Sequence, residues 1–292
     1  MLINNTLCSG LRVNLERFNS PREMWDVSQT RPCVDSRFRE EKLDSIESIK
    51  RYIKEDPHFI GVDTFEEALN LLDYGYRPVV DAFKSDGELT ISGSDKRFRQ
   101  TQEVQGFAPI VPLALMGVPN CMMNMRMRPI KGKVLNVIYD IGATAMVSAD
   151  SVIKAGKALL KTLMLLEMKG YRFNLWATKS QTRDGDDQVD MCLIKIKSSN
   201  TPLDLTRMSF PLAHPAFFRV FCWYWYAHKP EAKFRSGLGR SLSYVYPADK
   251  LNQFYSEILK EPCVFFSLKE ILDLGTGRRE QYIADEITGG TK

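Results

Sequence analysis

The sequence of residues 133–178 predicts a strand, a helix and a second strand, a unit that only a few fold classes contain. Its first part, KVLNVIYD, is a continuous β-rich apolar run that ends in an acid, which is typical of a buried parallel strand. A loop and a long apolar helix follow, and Ser148, Asp150 or Ser151 can cap that helix. Gly170 stops the helix, and YRFNLWAT supplies the second strand. Because parallel strands are joined by a right-handed crossover, the unit predicts an α/β protein.

The segments after this unit continue the α/β pattern. VDMCLIKIK alternates like a half-buried strand at a sheet edge, and an aromatic helix starts near Pro215. SLSYVYP and CVFFSL are two further strand candidates, and a helix over residues 248–260 separates them. We therefore expect a three-layer α/β domain over residues 131–292, with a mainly parallel sheet covered by helices on both faces.

Residues 1–130 are expected to form an N-terminal extension of helical and irregular structure. Thr64 followed by Glu67 fits a capping box, in which each side chain satisfies a backbone amide at the start of a helix. Prolines divide the methionine-rich stretch that follows residue 107 and prevent a single long helix there. The expected elements are, in order, an extended or irregular arm over residues 1–40, a helix over 41–54, a helix over 64–74 and a polar helix over 94–105.

Composition excludes several classes of protein. With 44% hydrophobic and 26% charged residues the chain can bury a core, which excludes a disordered or fibrous protein. No stretch approaches the about 18 consecutive apolar residues of a membrane span, and the first residues lack the basic start and apolar run of a secretory signal. The six cysteines are widely spaced without a C-x-x-C pair, which predicts reduced thiols and a cytoplasmic protein.

The end of the first strand in the 133–178 unit carries a specific resemblance. VLNVIYDIGAT, then a long helix, a parallel strand and an edge strand, resembles a von Willebrand factor A-type domain, which has a Rossmann-like architecture. In that family the first strand ends in D-x-S-x-S, whose acid and hydroxyls hold a divalent ion together with a Thr and an Asp from later loops. The resemblance places Asp140 at the first acid, Thr144 at the second hydroxyl and Asp249 at the later acid.

Gly142 stands where this family has its first serine. Mg²⁺ prefers near-octahedral oxygen ligation, and glycine contributes no side-chain oxygen. The resemblance therefore implies a degraded metal site at Asp140, Thr144 and Asp249, with Mg²⁺ as its only candidate cofactor. In the structural alternative, Asp140 caps local amides or meets a basic side chain.

A second resemblance covers roughly residues 62–225. The order of four segments is similar to that in uncharacterised bacteriophage proteins, a family of unknown function. These segments are TFEEALNLLDYGY, VPLALMGVPNCMM, SADSVIKAGKALLKTLMLLEMKGYRFNLW and PLDLTRMSFPLAHPAFFRVFCW. The resemblance implies a phage source, a location in the host-cell cytoplasm and a modified A-type domain, and it implies no mechanism.

Basic residues are concentrated in the second part of the chain. Residues 1–130 hold 17 basic and 19 acidic residues, whereas residues 131–292 hold 23 and 17. From Phe217 to Tyr246, ten aromatic residues are interspersed with five cations. Single-stranded nucleic acid is bound by this combination, because bases stack on rings for about 1–3 kcal/mol each and cations follow the phosphates. The candidate nucleic-acid-binding residues are Arg219, Trp223, Tyr226, Lys229, Lys233, Arg235 and Arg240.

Two interpretations of this aromatic segment stay open. A helix with aromatic residues on all sides is typical of a buried core, and helical spacing leaves Trp223 and Tyr226 for another surface. The loop KPEAKFRSGLGR at residues 229–240 combines cations with small residues and is the best candidate for contacting phosphates.

No motif predicts an enzyme. The three histidines have no metal or catalytic spacing, and no nucleophile elbow, phosphate loop or dinucleotide fingerprint occurs. The leading hypothesis is a non-enzymatic phage protein that binds nucleic acid, single-stranded rather than duplex, in support of phage transcription or replication, without contact to a membrane. The alternative is an A-type module that binds a phage or host protein. A third hypothesis is a hydrolase or nuclease that uses the acids at the strand ends.

Overall fold

The computed structural model describes residues 2–85, 96–129, 134–183, 186–230, 232, 238–239, 241–275 and 277–288. The strands are β1 (Leu2–Cys8), β2 (Leu11–Phe18), β3 (Lys96–Glu103), β4 (Ala108–Pro109), β5 (Met122–Pro129), β6 (Val134–Asp140), β7 (Arg172–Arg183), β8 (Asp186–Lys197) and β9 (Cys263–Ser267). The α-helices are α1 (Pro21–Gln29), α2 (Ile46–Glu55), α3 (Pro57–Ile60), α4 (Phe65–Tyr74), α5 (Arg77–Ser85), α6 (Val111–Leu115), α7 (Ala149–Met168), α8 (Leu205–Ala213), α9 (Trp223–Ala227), α10 (Ala248–Leu259), α11 (Leu268–Asp273) and α12 (Arg279–Thr288). A π-helical segment, Phe217–Cys222, runs into α9, and the two together are called the aromatic helix. Within the described residues no helix is long and apolar enough to cross a membrane.

Six strands form the larger sheet, in the order β1-β2-β8-β7-β6-β9. β6 pairs in parallel with β7 and with β9, and β2 pairs in parallel with β8. The β1–β2 and β7–β8 pairs are antiparallel. The fold is therefore α/β as predicted, but this sheet is mixed rather than mainly parallel.

Strand β8 lies inside the sheet, between β2 and β7, whereas the alternation of VDMCLIKIK predicted an edge strand. The N-terminal residues explain the difference, because β2 pairs with β8 in an unbroken parallel register that starts at Arg12 and Gln188. Residues 1–40 thus supply β1, β2 and α1 and do not form an irregular arm. The domain boundary expected near residue 130 runs through this sheet, which takes two strands from its N-terminal side and four from its C-terminal side.

A buried polar network joins the N-terminal strands to the aromatic helix. On β2 the carboxylate of Glu16 accepts hydrogen bonds from Nε1 of Trp225 at 2.8 Å and from Arg31 at 2.9 Å. On β8 the buried carboxylate of Asp190 lies 3.5 Å from Nζ of Lys229, which is also buried. Buried charges are costly unless they are paired, so these contacts fix the helix to a particular place on the sheet.

Helices cover both faces of the larger sheet. Val137 and Tyr139 of β6 belong to a core shared with α7, α8 and the aromatic helix. Between them in sequence, Ile138 belongs to a second core, shared with Leu251 and Phe254 of α10. Burial on both faces is the physical reason that three consecutive residues of β6, Val137, Ile138 and Tyr139, are all hydrophobic.

Two helices begin at the caps that the sequence indicates. At the start of α4, Thr64 Oγ1 accepts a hydrogen bond from the Glu67 amide at 3.0 Å, and the Glu67 carboxylate accepts one from the Asp63 amide at 2.9 Å. At the start of α7, Ser148 Oγ accepts a hydrogen bond from the Ser151 amide at 3.2 Å. The two helices predicted from these residues are confirmed.

Two segments differ from the predicted secondary structure. The polar helix predicted over residues 94–105 is wrong, because Lys96–Glu103 pairs with β5 as strand β3. The strand predicted at SLSYVYP is also wrong, because Leu242–Tyr244 forms a 3₁₀ turn. The amide of Leu242 donates to Ser180 Oγ at 2.9 Å, which holds this turn against the end of β7.

The buried His214 should make the fold sensitive to acid. Its Nδ1 accepts a hydrogen bond from the Ala216 amide at 3.2 Å, and Tyr76 packs against its ring. Burial lowers the pKa of His214 to about 4, below its ordinary value of 6.5. The unfolded chain therefore takes up the proton first as pH falls, so the stability from this residue is full above pH 6.5 and is lost toward pH 4. We expect a loss of about 2–3 kcal/mol of unfolding free energy between pH 7 and pH 4.5.

Urea unfolding of the intact chain and of His214→Asn at both pH values measures this effect. Asparagine can still accept the Ala216 hydrogen bond but does not titrate. The variant should show a smaller decrease in stability on acidification, and an equal decrease in both proteins would contradict the assignment to His214.

Candidate functional site

The smaller sheet is built on an antiparallel pair of arginine-rich strands. β3 has the sequence KRFRQTQE and β5 the sequence MMNMRMRP, so the two strands hold five basic residues and one acid. Their register sets Arg97 opposite Arg128 and Arg99 opposite Arg126. We call β3 and β5 the arginine ribbon.

The four arginine positions share one face of the arginine ribbon, because alternate residues of a strand and directly opposed residues of a pair lie on the same face. The same face continues through Thr101 and Asn124 to Glu103. Contacts between these three side chains agree with that placement: the Glu103 carboxylate accepts hydrogen bonds from Thr101 Oγ1 at 3.0 Å and from Asn124 Nδ2 at 3.3 Å.

An exposed apolar segment connects the two strands of the arginine ribbon. Residues 104–121 contain no charged residue, and no residue over 101–124 is buried. Six of the twelve large hydrophobic residues that are exposed in the described parts of the chain lie in this segment. We call these six residues the apolar tip: Val104, Phe107, Val111, Leu115, Met116 and Val118.

A second candidate site lies at the carboxyl ends of the parallel strands in the larger sheet. Asp140 ends β6, opposite Thr178 of β7 and Ser267 of β9. It is fully buried, and its Oδ1 accepts a hydrogen bond from the Gly142 amide at 2.9 Å. In open α/β sheets this edge is where ligands bind.

Ser241 occupies the space that a side chain at position 142 would need. A Cβ atom added to Gly142 would lie 2.7 Å from Cβ and 2.9 Å from Oγ of Ser241. Ser241 Oγ in turn lies 2.8 Å from Ser243 Oγ. The glycine at this place in the D-x-S-x-S pattern is therefore required by packing, and a later loop supplies the hydroxyl beside Asp140.

A buried lysine brings positive charge to Asp140. Lys179 Nζ donates to the Ser180 carbonyl at 2.7 Å and to Gln181 Oε1 at 2.9 Å. Burial lowers the pKa of Lys179 to about 8, and the charge of Asp140 opposes that decrease. Burial raises the pKa of Asp140, whereas the Ser241 hydroxyl and the charge of Lys179 act against the increase. Each charge thus favours the ionised form of the other.

The residues around Asp140 do not fit a Mg²⁺ site. Nowhere in the described parts of the chain do three His, Cys, Asp or Glu side chains lie close enough to hold a metal ion. Thr144 donates its backbone amide to Tyr244 Oη at 3.4 Å, and Asp249 is exposed on the first turn of α10. The positive charge of Lys179 already acts on Asp140. These placements do not support a metal role for Asp140, Thr144 and Asp249.

A cleft of about 340 Å³ opens beside this edge, between the end of β9 and the starts of α10 and α11. Nζ of Lys269 lies 5.0 Å from the centre of the Tyr244 ring, and the Tyr282 hydroxyl donates to the Glu270 carboxylate. Groups that line the cleft include Ser243, Tyr246, Ser267, Lys269, Glu270 and Tyr282. Hydroxyls, rings and charges of both signs suit binding of a small polar molecule or of a partner's side chain.

Residues 4–272 match the model of a protein family described as "Domain of unknown function (DUF7192)". The chain belongs to this family. The match includes both sheets and the Asp140 site, and it confirms the expectation of an uncharacterised family. No curated protein matches the chain, and no solved structure matches it.

In this DUF7192 chain the aromatic helix is part of the core. Arg219 is fully buried: its guanidinium lies 3.6 Å from the centre of the Phe59 ring and donates to the carbonyls of Phe59 and Val147. Trp223 and Tyr226 are 8% and 0% exposed. These three residues, expected to contact nucleic acid, instead hold other segments in place and present no stacking surface to bases.

The basic loop after the aromatic helix is only partly within the described residues. Lys229 is 1% exposed and paired with Asp190, so it is not available to phosphates. The contact of Lys233, Arg235 and Arg240 with phosphates stays a prediction, since these residues lie outside the described ones.

Sequence reasoning missed the arginine ribbon of this DUF7192 chain. The signal was present in the period-two alternation of RFRQ in β3 and MRMR in β5, which is typical of strands with two different faces. The polar composition of residues 94–105 also suits an exposed helix, and the four prolines at 109, 112, 119 and 129 are unusual next to a strand.

Proposed function

We propose that this chain binds nucleic acid through the arginine ribbon. The observation that carries the proposal is the register that pairs Arg97 with Arg128 and Arg99 with Arg126 on one face. Arginine is the residue best suited to phosphates and to guanine edges, because its planar group donates two parallel hydrogen bonds. Two-stranded ribbons also fit the grooves of a nucleic acid duplex.

The charge distribution supports this surface over the aromatic helix. The ribbon strands hold five of the basic residues of a part of the chain that is acidic as a whole, and their register brings four of these positions, the arginines, onto one face. The resemblance to bacteriophage proteins would place this binding in support of phage transcription or replication.

Replacing the four arginines of the ribbon by glutamine should remove most of the electrostatic part of binding. Each phosphate contact contributes about 0.9 to the slope of log Kd against log salt on duplex DNA, so we expect the slope to fall by roughly 3–4. Fluorescence anisotropy of the full chain measures it, with labelled 20-base single strands and duplexes of DNA and RNA at 50, 100 and 200 mM salt.

A control variant removes the same number of positive charges from exposed positions outside the smaller sheet. It carries glutamine at Lys154, Lys169, Arg207 and Lys250. This variant should keep the slope of the unmodified chain. Absence of salt-sensitive binding by the unmodified chain, or equal losses in both variants, would overturn the proposal.

The second candidate function is an A-type module that binds a protein partner at the carboxyl ends of the parallel strands in the larger sheet. The cleft beside β9 favours it, together with the neighbour relation of β6, α7 and β7, which agrees with the resemblance to that family. The side chain of Met146, 96% exposed in the loop after β6, adds an apolar contact point at this edge. Partner binding that persists after loss of the four ribbon arginines would favour this second function.

A further inference from the structure

The apolar tip is held in a defined shape although its side chains are exposed. The amide of Phe107 donates to the Met123 carbonyl at 2.9 Å, and the amide of Ile110 donates to the Cys121 carbonyl at 2.7 Å. The amide of Val118 closes α6 on the Leu113 carbonyl at 3.0 Å. Backbone hydrogen bonds at both ends therefore fix the course of the backbone that carries the exposed side chains.

Gly106 brings the segment close to β5. A Cβ atom at this position would lie 2.0 Å from the Met123 carbonyl oxygen, so a residue larger than glycine would push the apolar tip away from the arginine ribbon. The segment is thus seated directly on the end of the ribbon.

The exposed side chains of the apolar tip are mostly aliphatic. Leu115 is 84% exposed, Met116 68% and Val111 58%, and Phe107 is the one aromatic residue among the six. Aliphatic side chains offer no flat ring on which unpaired bases stack. They do act as wedges between the base steps of a duplex, where they unstack the bases and bend the helix.

Charge and distance join the two features. The apolar tip segment has no acid that would repel phosphates. The arginine pairs at positions 99 and 97 lie four and six residues from the end of β3, which corresponds to roughly 13 and 20 Å at about 3.3 Å per residue. A duplex bound at the arginines would therefore reach the apolar tip within a few base pairs of the contacted phosphates.

Resting on the proposed function, we infer that the partner is duplex nucleic acid and that the apolar tip inserts into it and bends it. Arginines then hold the backbone or the narrow groove, while Leu115 and Met116 enter the stack. The cost of unstacking is offset by the larger surface that the bent duplex places against the chain.

The test combines binding and bending in one sample. A 30-base-pair DNA duplex carrying a donor and an acceptor dye at its ends is titrated with the full chain, and anisotropy and energy transfer are both recorded. The unmodified chain should raise energy transfer in step with binding, as a bend of roughly 20–90° would. The variant L115S/M116S should bind with the salt slope of the unmodified chain and produce no bend.

The matched control variant is L7S/V245S, which also changes two exposed apolar side chains to serine at positions outside the apolar tip. It should bend the duplex like the unmodified chain. Binding without bending, bending that survives L115S/M116S, or preference for the single strand would each overturn the wedge and leave the nucleic-acid proposal standing. Absence of binding would overturn both. A concentration-dependent dimer in sedimentation velocity that L115S/M116S abolishes, with bending unchanged, would assign the tip to self-association instead.

Discussion

Replacing Lys179 by methionine is expected to lower the free energy of unfolding by about 2–4 kcal/mol, because two buried acceptors lose a charged donor and Asp140 loses a nearby positive charge. Lys179 and Asp140 are both fully buried, and each shifts the pKa of the other toward its charged form. Methionine keeps the apolar stem but removes the ammonium group, which also leaves the Ser180 carbonyl and Gln181 without this donor. Urea unfolding at pH 7 measures the change.

The double variant Lys179→Met with Asp140→Asn separates charge from packing. Removing both charges should restore part of the stability, so the double variant should be more stable than the sum of the two single changes predicts. Lys154→Met on the exposed side of α7 is the control and should change stability by less than about 0.5 kcal/mol. Strictly additive effects of the two single changes would show that the charges are not coupled.

Replacing Arg219 by methionine is expected to cost roughly 3 kcal/mol of stability, because two buried carbonyls lose their donor and the cation leaves the face of an aromatic ring. The same change should leave the salt slope of nucleic-acid binding unaltered, since the guanidinium of Arg219 contacts Phe59 and Val147 and no solvent. Thermal unfolding and anisotropy on the same preparation read out both effects.

Arg207→Met provides the comparison for Arg219. Its side chain is 76% exposed on α8, so the loss of stability should stay within about 0.5 kcal/mol. An Arg219 variant that keeps full stability but binds nucleic acid with a reduced salt slope would return this residue to the binding surface and contradict its role in the core.

The parts of the fold that sequence predicts are those governed by neighbours in the chain. The apolar run of β6 and the caps at Thr64 and Ser148 act over a few residues, and each is found where the sequence indicates. The position of β8 depends instead on a strand 176 residues away in sequence. Alternation shows that a strand has two faces, but it does not show whether both of its edges are paired.

The candidate sites divide in the same way. The position of Asp140 at a strand end follows from local pattern, whereas the approach of Ser241 to Gly142 joins two loops that only the tertiary fold brings together. The composition of the aromatic helix suits a surface for base stacking and a buried core equally well. The helix is in the core because N-terminal segments pack over it. In the arginine ribbon, the pairing of β3 with β5 brings arginine positions from two separate segments onto one face.

The pairing of β2 with β8 has a consequence for how the chain reaches its folded state. A ribosome that releases residues in order must complete β8 before β2 can acquire its second neighbour, by which time most of the chain has been made. Until then the edge of β2 that later pairs with β8 is unpaired. Glu16 also lacks its hydrogen-bond donor Trp225, which is synthesised after β8. Contacts this distant in sequence slow folding and lengthen the time during which an unpaired strand can associate with other chains. The yield of folded protein on overexpression should therefore increase when chaperones are co-expressed or the temperature is lowered, even if the folded chain is stable.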